Sequence, residues 1–219
     1  SGALNLYESC LDFPIEKIIH TSTSEVYGES NRVPIDEKSK IIARSPYAAT
    51  KIAADQIAYS YFSSFNLPIT VIRPFNTFGP RQSNRAIIPT IISQILTKKY
   101  ISLGSLYPTR DFTYIEDTVS AFIKIGESNK TNGEVINIGS GFEISIGDLV
   151  KLIQDIMGTN IQVKSDKKRI RPKNGEVYRL KSSIKLAKKI AKWEPRYKGK
   201  AGLKEGLEKT ISWFSDENN

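Results

Sequence analysis

Apolar positions recur at helical spacing from Ala3 to Leu11 with no capping residue ahead of them, which predicts a first helix that continues from upstream chain. Lys17-Ile18-Ile19-His20-Thr21 is an apolar run with neither cap nor helical period, as in a buried strand, and Ser22 to Glu29 follows as the loop at its end. A polar, Pro-containing stretch leads to Ser45, after which one long helix runs to about Phe65. Ser45 is a good N-cap, and Pro46 suits the first helical position, where its missing N–H costs nothing. Ile69-Thr70-Val71-Ile72-Arg73 is the next strand, closed by Pro74. Strand, loop, helix, strand is the pattern of a parallel α/β sheet, whose ligands bind beyond the carboxyl ends of the strands. Thr23 to Glu25 and Phe75 to Arg81 both fall at such ends.

Beyond Arg81 the elements shorten. Ala86 to Leu96 predicts an apolar helix interrupted near Pro89, and Tyr100–Leu103 and Asp111–Tyr114 predict short strands. Glu116–Glu127 reads as a helix capped by Asp117, and Val135–Ile138 as a strand. Ser145 caps a helix to Met157, stopped by Gly158, and two helices over about Ile184–Lys192 and Leu203–Phe214 close the chain. These later elements read as a smaller lobe packed on the end of the sheet. Gly139-Ser140-Gly141 follows a strand and precedes a helix, as in a dinucleotide fingerprint. The third glycine of that fingerprint would fall at Ile144, whose side chain would obstruct close helix–strand packing, so a tight turn is expected instead.

Composition narrows the chemistry. With 39% hydrophobic and 25% charged residues the chain is of ordinary soluble type, and no apolar run approaches a membrane span. Ser1-Gly2-Ala3 already lies in a helical pattern, so no signal peptide is expected. Cys10 is the only cysteine, which excludes an internal disulfide and fits a reducing, cytoplasmic compartment. His20 is the only histidine, which argues against a histidine-rich metal site or a Ser-His-Asp hydrolase and favours a core or strand-end role. The net charge of +9 gathers largely between Lys164 and Lys204. Without interleaved aromatic platforms this reads as a solvated basic face, a subset of which serves an anionic small substrate, rather than as a nucleic-acid surface.

The candidate chemistry starts at Ser45-Pro46-Tyr47-Ala48-Ala49-Thr50-Lys51. Tyr47 and Lys51 fall one turn apart on one helix face, where an ammonium favours a neighbouring phenolate. Such a base can take a proton from a sugar hydroxyl while the carbon is oxidised. Taken alone, the spacing is more often a surface lysine beside a half-buried tyrosine. Ser22-Thr23-Ser24-Glu25-Val26-Tyr27-Gly28, some twenty residues earlier, adds a carboxylate, of use if a carbon acid must be deprotonated. Arg73-Pro74-Phe75-Asn76-Thr77-Phe78-Gly79-Pro80-Arg81 adds a rigid turn with an amide and two cations. Thr109-Arg110-Asp111-Phe112 adds an arginine, and Arg171 to Glu176 a further cation–carboxylate pair. Singly, surface salt bridges would explain the arginines.

In this order and spacing the whole chain resembles the extended short-chain dehydrogenase/reductases that act on nucleotide sugars, an NAD-dependent epimerase/dehydratase family. The resemblance implies the C-terminal part of a Rossmann-like parallel sheet plus a smaller α/β substrate-binding lobe. Residues 1–81 would carry the catalytic part of the NAD-binding domain, and residues 82–219 would form mainly the substrate lobe, with some elements returning to the sheet. It also implies that the glycine-rich NAD cradle, which opens the family's fold, lies outside this sequence, so that these residues alone bind NAD poorly.

By resemblance, Tyr47 is the base at the sugar C4 hydroxyl, Lys51 assists it and holds the nicotinamide ribose, and Thr23 hydrogen-bonds the same hydroxyl. Ser22, Pro74 and Phe75 border the cofactor. Asn76, Arg81, Arg110 and Arg171 meet the substrate, with Asn76, Arg110 and Arg171 at its diphosphate and the two arginines as charge-assisted donors, and Glu176 accepts from the nucleotide ribose. Within the family, Thr23-Ser24-Glu25 points to a 4,6-dehydratase. A C4-epimerase needs no carboxylate near C5, whereas a dehydratase removes the C5 proton and expels the C6 hydroxyl as water. Ser24 stands where glucose-type dehydratases carry Asp, which leaves the acid at C6 to Glu25 or water. UDP-glucuronate decarboxylases share Thr-Ser-Glu and are the rival reading beside the 4-epimerases. A non-catalytic interaction fragment is the alternative outside enzymes. The expected substrate is a UDP- or GDP-linked hexose or N-acetylhexosamine, used in polysaccharide biosynthesis. The expected assembly is a homodimer built by the first and second helices as a four-helix bundle, with no metal, nucleic acid or membrane.

Overall fold

A parallel three-stranded sheet organises the first half of the chain, and a strand from much further along completes it. The computed structural model describes residues 2–170, 172 and 175–216. In chain order the elements are α1 (Gly2–Cys10), β1 (Ile18–Thr21), α2 (Pro46–Phe65), β2 (Ile69–Pro74), β3 (Asn76–Phe78), α3 (Ile87–Thr97), β4 (Ile101–Leu103), β5 (Thr109–Arg110) and β6 (Phe112–Tyr114). There follow α4 (Ile115–Glu127), β7 (Val135–Ile138), β8 (Ile144–Ser145), α5 (Ile146–Ile156), β9 (Val163–Ser165), β10 (Arg179–Leu180), α6 (Lys185–Ala191) and α7 (Gly199–Ser215). The sheet order is β1-β2-β7, all parallel, with Thr21 opposite Ile72 and Arg73 opposite Asn137.

Side chains alternate between the two faces of β2. Ile69 and Val71 pack with Tyr7, Ala58 and Tyr61 beneath α1 and α2. Ile72 points the other way, into a cluster with Ile136, Ile138, Ala121, Ile125 and Trp193 under α4 and α6. The second lobe has its own core, in which Ile91 and Ile92 of α3, Leu149 and Ile153 of α5 and Leu207 of α7 close over β4 and β6. Its strands pair two by two or three by three: β3 with β6, β4 with β9, and β10-β5-β8.

Several expectations are corrected by tertiary context. β1 is half-buried rather than buried, pairing with β2 alone among the described strands. The residues after it are not a plain loop: Ser24–Tyr27 form one 3-10 turn. Pro89 does not interrupt α3. It is the third residue of that helix, in the first turn, where an N–H would have no intrahelical partner. Asp117 is not a cap. It lies inside α4, and its carboxylate accepts the backbone N–H groups of Arg196 (2.7 Å) and Tyr197 (3.0 Å), tying α4 to the approach to α7. The strand expected over Asp111–Tyr114 begins one residue later, as β6, and fully buried Asp111 separates it from β5. α7 starts four residues before the expected Leu203, and no capping side chain marks its beginning.

Candidate functional site

The site is assembled at the carboxyl ends of β1 and β2, where α2 begins. Ser45 adopts extended backbone and its hydroxyl accepts the Ala48 N–H at 3.1 Å, so α2 starts where the sequence predicts. Tyr47 is 50% exposed, on the first turn. Lys51, one turn on, donates from Nζ to the Thr21 carbonyl at the end of β1 (3.0 Å). Thr23 caps the 3-10 turn by accepting the Glu25 N–H at 3.2 Å, and that turn is seated by buried Val26 and Tyr27. Gly28 ends it at φ +56°, and a Cβ there would stand 2.5 Å from the Ile42 carbonyl oxygen. Only glycine lets the chain approaching Ser45 cross so closely. Ser22 is buried, its N–H bonded to Ile72 O (2.8 Å) and its hydroxyl acting on the Asp55 carboxylate without full hydrogen-bond geometry.

Two adjoining cavities lie beside this corner. The smaller, about 80 Å³, is lined by Glu25, Arg44, Ser45, Asn76 and Arg110 among others. The larger, about 420 Å³, again has Asn76 and Arg110 in its wall, together with Arg85, Arg169 and Glu176. Asn76 and Arg110 therefore stand between them. Arg110 donates from Nη1 to the carbonyls of Thr109 (2.8 Å) and Val177 (2.9 Å), while its Nη2 lies 3.5 Å from Glu176 Oε1. Both side chains are largely buried, where such a pair is stronger than at the surface.

Of the residues singled out from sequence, Glu25, Asn76, Arg110 and Glu176 are thus brought together, with the start of α2. Tyr47 and Lys51 line neither cavity. Tyr47 lies two residues from the cavity-lining Ser45, and Lys51 is turned to Thr21. Ser24 is buried, and Thr23 is half-buried. Pro74 ends β2, and the Phe75 ring packs with Val26, Tyr27 and Ile35 beneath the turn that bears Glu25. Arg81 is exposed, at φ +63°, and lines neither cavity, whereas Gln82 and Arg85 line the larger one. Arg171 lies outside the described residues. Arg73 is not a cavity cation of this corner. It is buried against Asp55, which takes its Nε at 3.1 Å and Nη2 at 2.9 Å.

Sequence reasoning missed Arg44, Arg85 and Arg169 as lining residues. Arg44 directly precedes the N-cap of the helix that opens the site, which is the signal that could have found it. Arg169 carries no such signal. It arrives because the chain after β9 passes over Gly104, where a Cβ would stand 2.5 Å from the Arg169 carbonyl oxygen.

The Gly139-Ser140-Gly141 turn is occupied by a carboxylate of this same chain. Asp111 accepts the N–H groups of Ser140 (2.8 Å), Gly141 (3.0 Å) and Ser182 (3.0 Å) and both serine hydroxyls (2.6 and 2.5 Å). Burial pushes the Asp111 carboxyl up, against the serine hydroxyls and N–H groups that pull it down. The turn is a structural joint between β7, β5 and the segment after β10. Among the described residues no group of three or more His, Cys, Asp or Glu is placed to hold a metal, and no helix is long and apolar enough to cross a membrane.

Residues 1–206 match the protein family described as GDP-mannose 4,6 dehydratase. The chain is 37% identical over 210 residues to the human dTDP-D-glucose 4,6-dehydratase, covering 92% of this chain and 57% of that protein's length. In three dimensions it is similar to the dTDP-glucose 4,6-dehydratase of Bacillus anthracis, solved with NAD (TM-score 0.89, 27% identity, 99% of this chain and 67% of that one). It is also similar to the UDP-glucuronic acid 4-epimerase of Bacillus cereus, solved with UDP-glucuronic acid and NAD (TM-score 0.88, 31% identity, 97% and 65%).

Proposed function

The chain belongs to the GDP-mannose 4,6-dehydratase family, and from that premise we propose that it is the catalytic and substrate-binding part of an NAD-dependent nucleotide-sugar 4,6-dehydratase acting on a UDP- or GDP-linked hexose or N-acetylhexosamine. The observation that carries the reading is the placing of Glu25, Asn76 and Arg110 in one wall beside the start of α2. A hexose between them would meet a carboxylate on one side and the Tyr47 helix on the other. Its diphosphate would lead past Asn76 and Arg110 into the larger cavity. There Arg169 and Arg85 add positive charge and Glu176 offers an acceptor to the ribose. Arg81 and Arg171 complete the proposed substrate set. Residues 1–81 supply the catalytic part and residues 82–219 mainly the substrate lobe.

The residues present fit the nicotinamide-ribose end of NAD. Lys51 stands at the carboxyl end of β1, Tyr47 is exposed one turn away, and Pro74-Phe75 closes β2. The pyrophosphate has no cradle at the Gly139–Gly141 turn, which Asp111 fills. When bound, NAD would supply the acceptor that oxidises C4 and the reductant returned at C6. Tyr47 takes the C4 hydroxyl proton, with Thr23 hydrogen-bonded to the same oxygen. Lys51 holds the ribose and keeps positive charge beside the phenol. Glu25 takes the proton from C5, which the adjacent ketone acidifies, and the C6 hydroxyl leaves as water, protonated by Glu25 or through solvent. Ser24, a poor acid, keeps the turn's geometry. With a proton returned to C5 from solvent, the sum is loss of one water with no net oxidation.

The second copy of a cytoplasmic homodimer would pack on α1 and α2 as a four-helix bundle, supported by exposed Leu4, Leu6, Tyr59 and Phe65. Its product would feed polysaccharide biosynthesis. The test is incubation of the full-length protein, including the NAD cradle expected outside these residues, with NAD and a panel of UDP- and GDP-hexoses, with products weighed. A product lighter by one water supports the reading. Unchanged mass with inverted C4 assigns an epimerase, loss of carbon dioxide a decarboxylase, and either result overturns it.

A further inference from the structure

We propose that Asp55 is a positioning residue for this reaction. Through Arg73 it fixes α2, the end of β1 and the turn bearing Glu25 against one another, and so sets where Tyr47, Lys51 and Glu25 stand. The inference rests on the roles proposed above for those three residues.

Tyr47, Lys51 and Asp55 are spaced four apart, so they run down one face of α2. Tyr47 stays half exposed, Lys51 reaches the end of β1, and Asp55, 2% exposed, is driven into the protein. There it meets a single guanidinium with three assignments. Arg73 gives Nε (3.1 Å) and Nη2 (2.9 Å) to Asp55 Oδ2, and gives Nη1 to the Tyr27 hydroxyl (3.0 Å). The guanidinium carbon also stands 5.0 Å from the centre of the Tyr27 ring. Tyr27 in turn donates to Asn137 Oδ1 on β7 (2.8 Å). Tyr27 lies two residues after Glu25 on the same turn, and Arg73 directly precedes Pro74, Phe75 and Asn76. On the other side, His20 Nε2 of β1 lies 3.3 Å from Asp55 Oδ1 without full hydrogen-bond geometry, and His20 Nδ1 pairs with the Tyr7 hydroxyl of α1 (2.7 Å). One carboxylate thus gathers every element that carries a proposed reacting group.

Energetics favour a geometric over a stabilising purpose. Apolar residues of similar volume often replace a buried ion pair without loss of stability, because desolvating two charges consumes most of what their attraction returns. What they do not reproduce is the fixed angle of the guanidinium fork, whose Nε and Nη2 both meet the single oxygen Oδ2 while Nη1 meets Tyr27. Burial alone would raise the Asp55 carboxyl, but His20, Ser22 and Arg73 together hold it below its ordinary value, so the fork is charged at neutral pH. Catalysis needs that angle: groups must be held to within roughly 0.5 Å, and an error of about 1 Å costs about 100-fold.

The experiment, run in the full-length protein, compares Asp55→Asn and the double variant Asp55→Leu/Arg73→Met with the unaltered full-length protein by steady-state kinetics, thermal melting and amide hydrogen exchange. Asp55→Asn alone is expected to weaken folding as well, since it leaves Arg73 under-compensated. The double variant separates the two roles. It should melt close to the unaltered protein and keep KM for the nucleotide sugar within about threefold, because the nucleotide cavity is built elsewhere. Its kcat should still fall by about 10- to 100-fold, with faster exchange confined to residues 24–27 and 46–51. Recovery of kcat together with stability would reduce the pair to a structural one, and unchanged exchange at those two segments would overturn the proposal. If the unaltered protein dehydrates no nucleotide sugar, the functional reading fails, and the exchange pattern alone still decides whether Asp55 holds the two segments.

Discussion

Arg110 and Glu176 face each other at 3.5 Å in the wall of the larger cavity, so the cation expected to meet a diphosphate is already held by a carboxylate of its own chain. Its position is therefore set before any ligand arrives, which lowers the cost of ordering it on binding. Arg110→Lys keeps a charge opposite Glu176 but loses the planar fork. Nucleotide-sugar affinity measured by calorimetry should fall by about tenfold, in line with about 1.5 kcal/mol for a charged hydrogen bond. Unchanged affinity would remove Arg110 from the phosphate path.

Tyr47→Phe deletes one oxygen from a half-exposed ring that makes no side-chain hydrogen bond described within the protein, so folding should be unaffected. Turnover should fall by about 100- to 10,000-fold, the range typical of a general base, with nucleotide-sugar affinity nearly intact. Activity equal to the unaltered protein would exclude the phenol from the chemistry.

Ser45→Ala removes the oxygen that accepts the Ala48 N–H at 3.1 Å. Loss of an N-cap costs about 1 kcal/mol, which for a chain of this size lowers the melting temperature by about 2–4 °C. Because α2 also presents Tyr47, kcat should drop alongside stability. A variant with native melting behaviour would show that packing, not the cap, starts the helix.

Two carboxyls, one buried and one half-buried, give opposite dependences on pH. Burial alone would raise Asp55, but His20, Ser22 and Arg73 hold it below its ordinary value, so its contribution is full above the unfolded value of about 4 and is lost as pH falls through the folded one. Glu37 is pushed up by burial, although its Oε1 accepts the Asn137 N–H at 2.9 Å. Its effect is therefore a loss of stability as pH rises from the unfolded value towards the raised one. Denaturant titrations from pH 3 to 8 should show Glu37→Gln gaining stability over the unaltered protein at neutral pH, and Asp55→Asn with a flatter acid limb. The reverse pattern would contradict both assignments.

What could be read in the sequence was local. Ser45 and Pro46 mark the start of α2, Ser145 marks that of α5, and the apolar run at Ile69–Arg73 marks β2, because each signal lies within a few residues of its effect. The strand-end placing of Glu25 and Asn76 followed from the same order of elements. The half-burial of β1, by contrast, depends on which strands pair with it, and no local pattern shows that. Nor was the fate of Arg73 and Asp111, two motif residues that read as site chemistry or strand and prove to be buried joints, since their partners lie 18 to 71 residues away. Arg169 reaches the cavity only through the crossing over Gly104, which no local pattern announces.

The most direct test of the phenol-and-carboxylate account is the reaction run in heavy water with NAD and a nucleotide hexose, the product being analysed by mass and NMR. Proton removal at C5 by Glu25, with solvent return, requires a product that has lost one water and carries deuterium at C5. A product of unchanged composition with inverted C4 and only its original hydrogen at C5 would contradict it.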